Sequence, residues 1–520
     1  MKILYLGSSS VCFELDNSSP YYAPAHWQVM LNGKCRGEGD TNVISLFDLT
    51  PDTEYKAVIK IGEQEEEQSF RTKSESCCVN VRDFGAVGDG VHEDTAAIQT
   101  AINATPAGAR VYFPAGTYLT MPLSLRDDLT IELREGATLL GSTQRERYSV
   151  IPAFVNDPAG GRELPLSGFE GNEMSAYQSL IYGSYRKNIA IVGKGKIDGN
   201  GQNGDWWKDF RSFPAARPRV VFLNRCENVT LHGVTVANGP SWHIHPFFSK
   251  NISLLDCFVT APKNSPNTDA IDPESCDGVN IIGCRFSVGD DCIAVKSNKF
   301  ELAQKYHTCA DHHTIRNCKM EFGHGALTLG SELSAGIRNV SVTRCLFHST
   351  DRGLRIKTRR GRGKDSVITN VEFDNIRMDS VLTPIVINMW YNCCDPDRHS
   401  EYVWSRDALE VDERTPHLGR FVFRNMECTG TQVAACYIDG LPESPIDCVE
   451  LENISVSFAE DAKPGVPAMQ EFAKERCREG LYLDNVREIH IRNVSLTGVA
   501  GPKLTVDHCE SITTEGSDLT

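Results

Sequence analysis

The chain has 520 residues, 40% hydrophobic and 23% charged, with 53 Lys and Arg against 69 Asp and Glu for a net charge of −16. That length exceeds one compact core, so the chain is either several domains or an elongated repeat. No apolar run approaches the roughly 18 residues of a membrane helix, and the acidic total argues against nucleic acid as a partner. Cysteine is the odd feature: there are 19, with no C-x-x-C pair, and the opening Met1 to Ser8 carries no secretion-signal-length apolar run. This pattern argues against a disulfide framework or a zinc ribbon and predicts a reducing, cytoplasmic setting. A trimmed signal would place the protein in the periplasm or outside the cell.

Residues 1–75 read as short strands and turns. Tyr55 to Lys60 alternates, and Pro51 makes a turn just before Tyr55. The segment resembles a fibronectin type III module, in which such a tyrosine hydrogen-bonds back to the corner before it. Residues 76–520 form the second predicted unit. Near its start, Asp94 is a plausible N-cap for a short helix at about 94–103, with Ala97, Ile98, Ala101 and Ile102 on one face. The glycines between Gly85 and Gly90 lack phosphate-loop spacing, so a helix capping one end of an apolar core is expected.

From about residue 188 one phrase recurs: a turn residue, then an apolar-polar-apolar strand. It stands at Asn228, Asn251, Gly278, His312, Asn339 and Asn370, with weaker copies at Arg420, Cys448, Glu488 and Lys503. Spacings between the clear copies are 23, 27, 61 (with His312 intervening) and 31 residues, the period of β-solenoid coils. Counting six from each start gives Val234, Cys257, Cys284, Cys318, Cys345, Ile376, Met426, Ile454, Val494 and Cys509. Stacked strands would make this an inward column, where free cysteine is good filler. One thiol per coil gives a line rather than a tetrahedral metal site. The Asn-x-Ser/Thr sequences at Asn228, Asn251, Asn339, Asn453 and Asn493 fit the same turn-then-strand phrase better than glycosylation.

Four segments share a further register. Aligned on Ile271, Ile293, Leu327 and Leu354, Asp269 and Asp291 each stand two residues before the anchor, and Asp290 falls in the column of His324. Three carboxyls in neighbouring coils should repel, raising at least one pKa, as acid/base hydrolysis of a glycosidic bond requires. Arg352 to Lys364 then holds seven Lys and Arg in thirteen residues and no acid. Arg355 and Lys357 alternate onto one side and suit a substrate carboxylate, whereas Arg359, Arg360, Arg362 and Lys364 fit a solvated loop.

Asn267-Thr268-Asp269, Gly289-Asp290-Asp291, Gly323-His324-Gly325 and Arg355-Ile356-Lys357 together resemble the motifs of glycoside hydrolase family 28, the polygalacturonase type, over about 79–515. The resemblance implies an all-β, right-handed parallel β-helix and hydrolysis with inversion, with no cofactor and no metal. It implies Asp290 as general acid, Asp269 and Asp291 as the groups that activate water, and His324 as support for the acid. Arg355 and Lys357 would hold the galacturonate carboxylate, with Asn267 and Gly289 also at the substrate site. Trp242, Trp390 and Tyr391 suit either sugar stacking or core packing.

The N-terminal module and Asn388-Met389-Trp390-Tyr391 resemble bacterial exo-acting members, and insertions at about 143–178 and 392–417 could close one end of the cleft. The expected partner is a galacturonate-containing oligosaccharide from pectin. Rhamnogalacturonan or xylogalacturonan remains an alternative substrate. A pectate lyase, which would need Ca²⁺ and give unsaturated product, and a non-catalytic carbohydrate-binding solenoid are the alternatives of another class.

Overall fold

The computed structural model describes residues 1–519 except 157–159, 161–162, 209–213 and 393–397, so parts of both predicted insertions lie outside the described residues. Residues 2–71 form two antiparallel sheets. One pairs Lys2–Leu6, Val11–Glu14 and Val43–Leu46; the other pairs Lys34–Thr41, Tyr22–Leu31, Glu54–Ile61 and Gln64–Arg71. Alternating side chains from both (Val11, Phe13 and Ile44 against Trp27, Val29 and Ile59) meet in a shared core. The corner hydrogen bond expected of Tyr55 is present, with the Thr50 amide donating to its hydroxyl at 2.9 Å.

The remainder is the expected right-handed parallel β-helix. A 24-stranded sheet runs the length of the solenoid, and sheets of four and seven strands supply another face. Helix Thr95–Ala104 covers the first coils through Ile98, Ala101 and Ile102. Asp94 stands at the expected N-cap position, its carbonyl accepting from the Ile98 amide, but its carboxylate makes no capping bond and instead accepts from the Val87 and Gly88 amides, tying down the glycine-containing loop.

The cysteine column is an inward ladder. Cys257, Cys284, Cys318 and Cys345 are buried, and each Sγ lies 3.4–4.0 Å from a carbonyl one coil earlier. Cys509 does not belong to it. Glu488 pairs with Ser511, so the copy expected at Lys503 falls instead in the seven-stranded sheet, and Cys509 follows strand Leu504–Asp507.

The asparagines of the repeat sit at positive φ, where Asn tolerates the left-handed turn better than most residues. Their amides stack: Asn251 donates to Asn228, and Asn228 to Asn188. Asn453 and Asn493 continue a second such ladder from Asn425, at the bend just before the Ile454 and Val494 positions, rather than at the phrase start. The turn reading of these sequences therefore holds, with two bends in place of one.

The module is docked against the solenoid. Glu14 accepts from Arg316, Asn317 and Arg344 at 2.7–2.9 Å, and Cys12 and Val43 pack on Leu255 and Ile282. Among the described residues no helix is long and apolar enough to cross a membrane.

Candidate active site

The alignment that brought the carboxylates together is the physical register of the coils. Ile271 pairs with Ile293, Ile293 with Leu327, and Leu327 with Leu354. Asp269, Asp290 and Asp291 converge so that one oxygen of each lies within 4.8 Å of the others. Two glycines permit the approach. A Cβ on Gly325 would meet Thr328 Oγ1 at 2.4 Å and Asp291 Oδ1 at 3.1 Å, and one on Gly289 would meet the Ser265 carbonyl at 2.5 Å. Gly289 thus acts through close packing of the carboxylate loops, while its amide donates to Thr268.

The three acids differ sharply. Asp269 is buried, and one of its oxygens has no hydrogen-bond partner. Burial, then repulsion from Asp272, Asp290 and Asp291, pushes its pKa well above the usual carboxylate range. Burial would push Asp291 up as well, but Lys357 at 2.8 Å and Arg355 at 3.2 Å outweigh it and hold this carboxylate well below that range. Asp290 alone keeps substantial side-chain exposure, 20% against 1% for Asp291, and its Oδ1 lies 3.1 Å from His324 Nδ1. That contact is the main reason the His324 pKa is raised.

The acids face a cavity of about 200 Å³, lined also by Trp242, Asn267, Lys296, Glu332, Tyr391, Glu170 and Met469. Asn267 accepts from Arg217 at 2.6 Å. Trp242 is 2% exposed, stacked on Phe169 with Lys296 Nζ 4.7 Å from its ring centroid, so it packs the wall more than it offers a face. Trp390 is a core residue held between the Arg360 and Arg406 guanidiniums. Tyr391 reaches the cavity beside Lys357.

Beneath this surface lies a buried network that motif reading missed. Lys296 reaches Glu332 at 3.1 Å and Asp272 at 3.5 Å. Burial raises Asp272 to about 7 and Glu274 to about 8, whereas Lys296, with Lys299 and Lys357, more than offsets burial and holds Glu332 at about 2. Glu274 and His245, 3.0 Å apart, have the geometry of an ion pair. Burial pushes the acid up and the imidazole down, so burial works against the ion pair and towards a hydrogen bond between neutral groups.

The basic segment also departs from expectation. Arg359, Arg360 and Arg362 are buried, and Arg360 is clamped by Glu443 at 2.6 and 2.8 Å. Only Lys364 fits the solvated-loop reading, exposed and paired with Glu413. A segment with no expected role, residues 459–478, crosses the cavity rim: Met469 Sδ lies 2.8 Å from Arg355 Nη2, and the Val466 and Pro467 carbonyls accept from Arg352.

Residues 164–463 match Glycosyl hydrolases family 28, and residues 78–148 match the rhamnogalacturonase A/epimerase, pectate lyase-like family. The chain belongs to glycosyl hydrolase family 28. A probable polygalacturonase of Vitis vinifera is 31% identical over 395 residues, covering 73% of this chain and 74% of the relative. An endo-polygalacturonase of Pectobacterium carotovorum subsp. carotovorum is 28% identical over 312 residues, covering 57% of this chain and 72% of the relative. The family 28 exopolygalacturonase of Yersinia enterocolitica shares the fold, with a TM-score of 0.72 at 19% identity and 98% of both chains covered.

Proposed function

We propose that this family 28 hydrolase cleaves α-1,4 linkages between galacturonate residues by single displacement, removing terminal units from oligogalacturonides. The observation that carries the reading is the convergence of Asp269, Asp290 and Asp291 with the cations Arg355 and Lys357 in one cavity. Asp290, the exposed member, is placed to protonate the leaving oxygen, with His324 bonded to its carboxyl. Asp269 and Asp291 flank the position of an attacking water. Arg355 and Lys357 serve twice: they hold Asp291 ionised and offer charge to a substrate carboxylate.

Terminal attack is supported by the cavity, which at about 200 Å³ is smaller than the roughly 300 Å³ where drug-sized ligand pockets begin. Glu170 from the first insertion and Met469 from the 459–478 segment bound it. The free cysteines suit a reducing, cytoplasmic setting.

The closely spaced carboxyls favour a second stereochemical reading, because double displacement generally uses acids about 5–5.5 Å apart and single displacement about 6.5–9.5 Å. Against it, Asp269 is buried and Asp291 is pinned by two cations, so neither is a free nucleophile. Time-resolved product analysis on a defined galacturonate oligomer tests the whole reading. Monomer alone at early times, with the β-anomer appearing first by proton NMR, is expected; early mid-sized fragments would overturn exo action, and an α-anomer first would overturn inversion. Asp290→Asn should lower kcat roughly 10²–10⁴-fold with binding retained; near-normal turnover would remove Asp290 from its role.

A further inference from the structure

The 459–478 segment, which lines the cavity through Met469, displays an exposed aromatic three residues further on. Phe472 is 75% exposed and has a φ of 57°, a left-handed conformation that is an outlier for a bulky side chain. Strained, exposed residues of this kind persist where the surroundings fix them, and they cluster at ligand sites. Here the backbone before Phe472 is fixed residue by residue. The Met469 carbonyl accepts from the Asn388 side chain, Gln470 donates to Tyr437 and Asp439, and Glu471 is bonded to Asn392 and His399. The Phe472 ring meets Trp404 edge to face, with centroids 5.5 Å apart. Arg398, exposed, adds a cation next to His399 on the same rim.

We propose that Phe472, supported by Trp404, is a stacking platform for the uronate ring that follows the one at Tyr391, on the leaving-group side of the substrate. The inference rests on the galacturonan reading above. Three observations choose this occupant. The cavity has room for about one ring, so the rest of a bound chain must leave across the rim. The opposite wall is occupied by Glu170 and by Phe169 stacked on Trp242, with the Lys299 amide bonded to Gly171. Gln470, two residues before Phe472, is bridged to Tyr391, which lines the cavity, so the backbone that carries the platform is joined directly to the cavity wall. An apolar sugar face against an aromatic ring, with Arg398 near the carboxylate, matches the chemistry of a uronate.

The test compares kcat/KM for di- and trigalacturonate in the wild type, Phe472→Ala and Phe472→Trp, with Val411→Ser as a control at an exposed apolar residue elsewhere on the rim segments. Phe472→Ala should lower kcat/KM about threefold to tenfold for both oligomers, because each supplies the second ring, mainly through KM with kcat retained, and Phe472→Trp should restore it. Phe472→Gly relieves the left-handed backbone without restoring the ring, so it should lower kcat/KM as Ala does while melting no lower than the wild type. An unchanged kcat/KM for both oligomers, or a loss carried by kcat rather than KM, overturns the platform while the activity stands. A wild type that releases nothing from either oligomer overturns the galacturonan reading itself.

Discussion

At the scale of single residues, the three carboxyls show how one spacing yields three electrostatic fates. Asp291 is stabilised as an anion by two cations, Asp290 is open to substrate, and Asp269 is buried and repelled. Asp269 therefore holds its proton more tightly in the folded protein than in the unfolded chain. Its contribution to stability falls as pH rises from the unfolded value of about 3.9 towards the raised folded one. Asp269→Asn should accordingly melt higher than the wild type at pH 7, with the gap closing near pH 3, while kcat falls roughly 10²–10⁴-fold. Equal melting at pH 7 would contradict the raised pKa. These acids were legible in the sequence because their spacing from Ile271 and Ile293 is local. Lys296, Glu332 and Glu274 were not, because nothing in the sequence near Lys296 distinguishes a buried cation facing acids on neighbouring coils from a surface lysine. The buried Arg359, Arg360 and Arg362 were misread for the same reason: Glu443, which clamps Arg360, lies 83 positions away.

At the scale of the element, the repeated bend sets both ladders. The thiol column was legible because six-residue counting from each phrase start stays in step while coils keep the same bend. It failed at Lys503, where the apolar strand that follows belongs to a different sheet. Burial pushes the Cys257, Cys284 and Cys318 thiols up, which suppresses the thiolate needed for alkylation. In the native protein, iodoacetamide should label Cys35, Cys77 and Cys78, which are exposed, and leave the ladder cysteines unmodified until denaturant is added. Peptide mass spectrometry reads this directly, and native labelling of Cys284 at the rate of Cys35 would be incompatible with a closed ladder.

At the scale of the molecule, the Glu14 carboxylate is the charged centre of the module's contact with the solenoid, beside hydrogen bonds such as Asn42 to Asn317 and Arg344 to the Asn17 carbonyl. Burial would raise the Glu14 pKa, but Arg316 and Arg344 outweigh it and hold it below its usual value. The stabilisation is thus complete above the unfolded value of about 4.3 and is lost as pH falls through the lower folded one. Glu14→Gln, which leaves two guanidiniums facing a neutral group, should cost about 3 kcal/mol. Calorimetry should then show the module melting ahead of the solenoid at pH 7; one unchanged transition would mean the apolar contact of Cys12 and Val43 with Leu255 and Ile282 and the remaining hydrogen bonds suffice without the ion pairs. The solenoid has a further consequence for how specificity can change. Residue columns pass unbroken from coil to coil, as in Arg355, Val386, Tyr437 and Tyr482. Every group on that face therefore stands a whole number of strand spacings, each about 4.8 Å, from every other. The distance from the broken bond to a carboxylate receptor cannot drift gradually. It changes by one coil or not at all, so the length of the released unit is inherited as an integer.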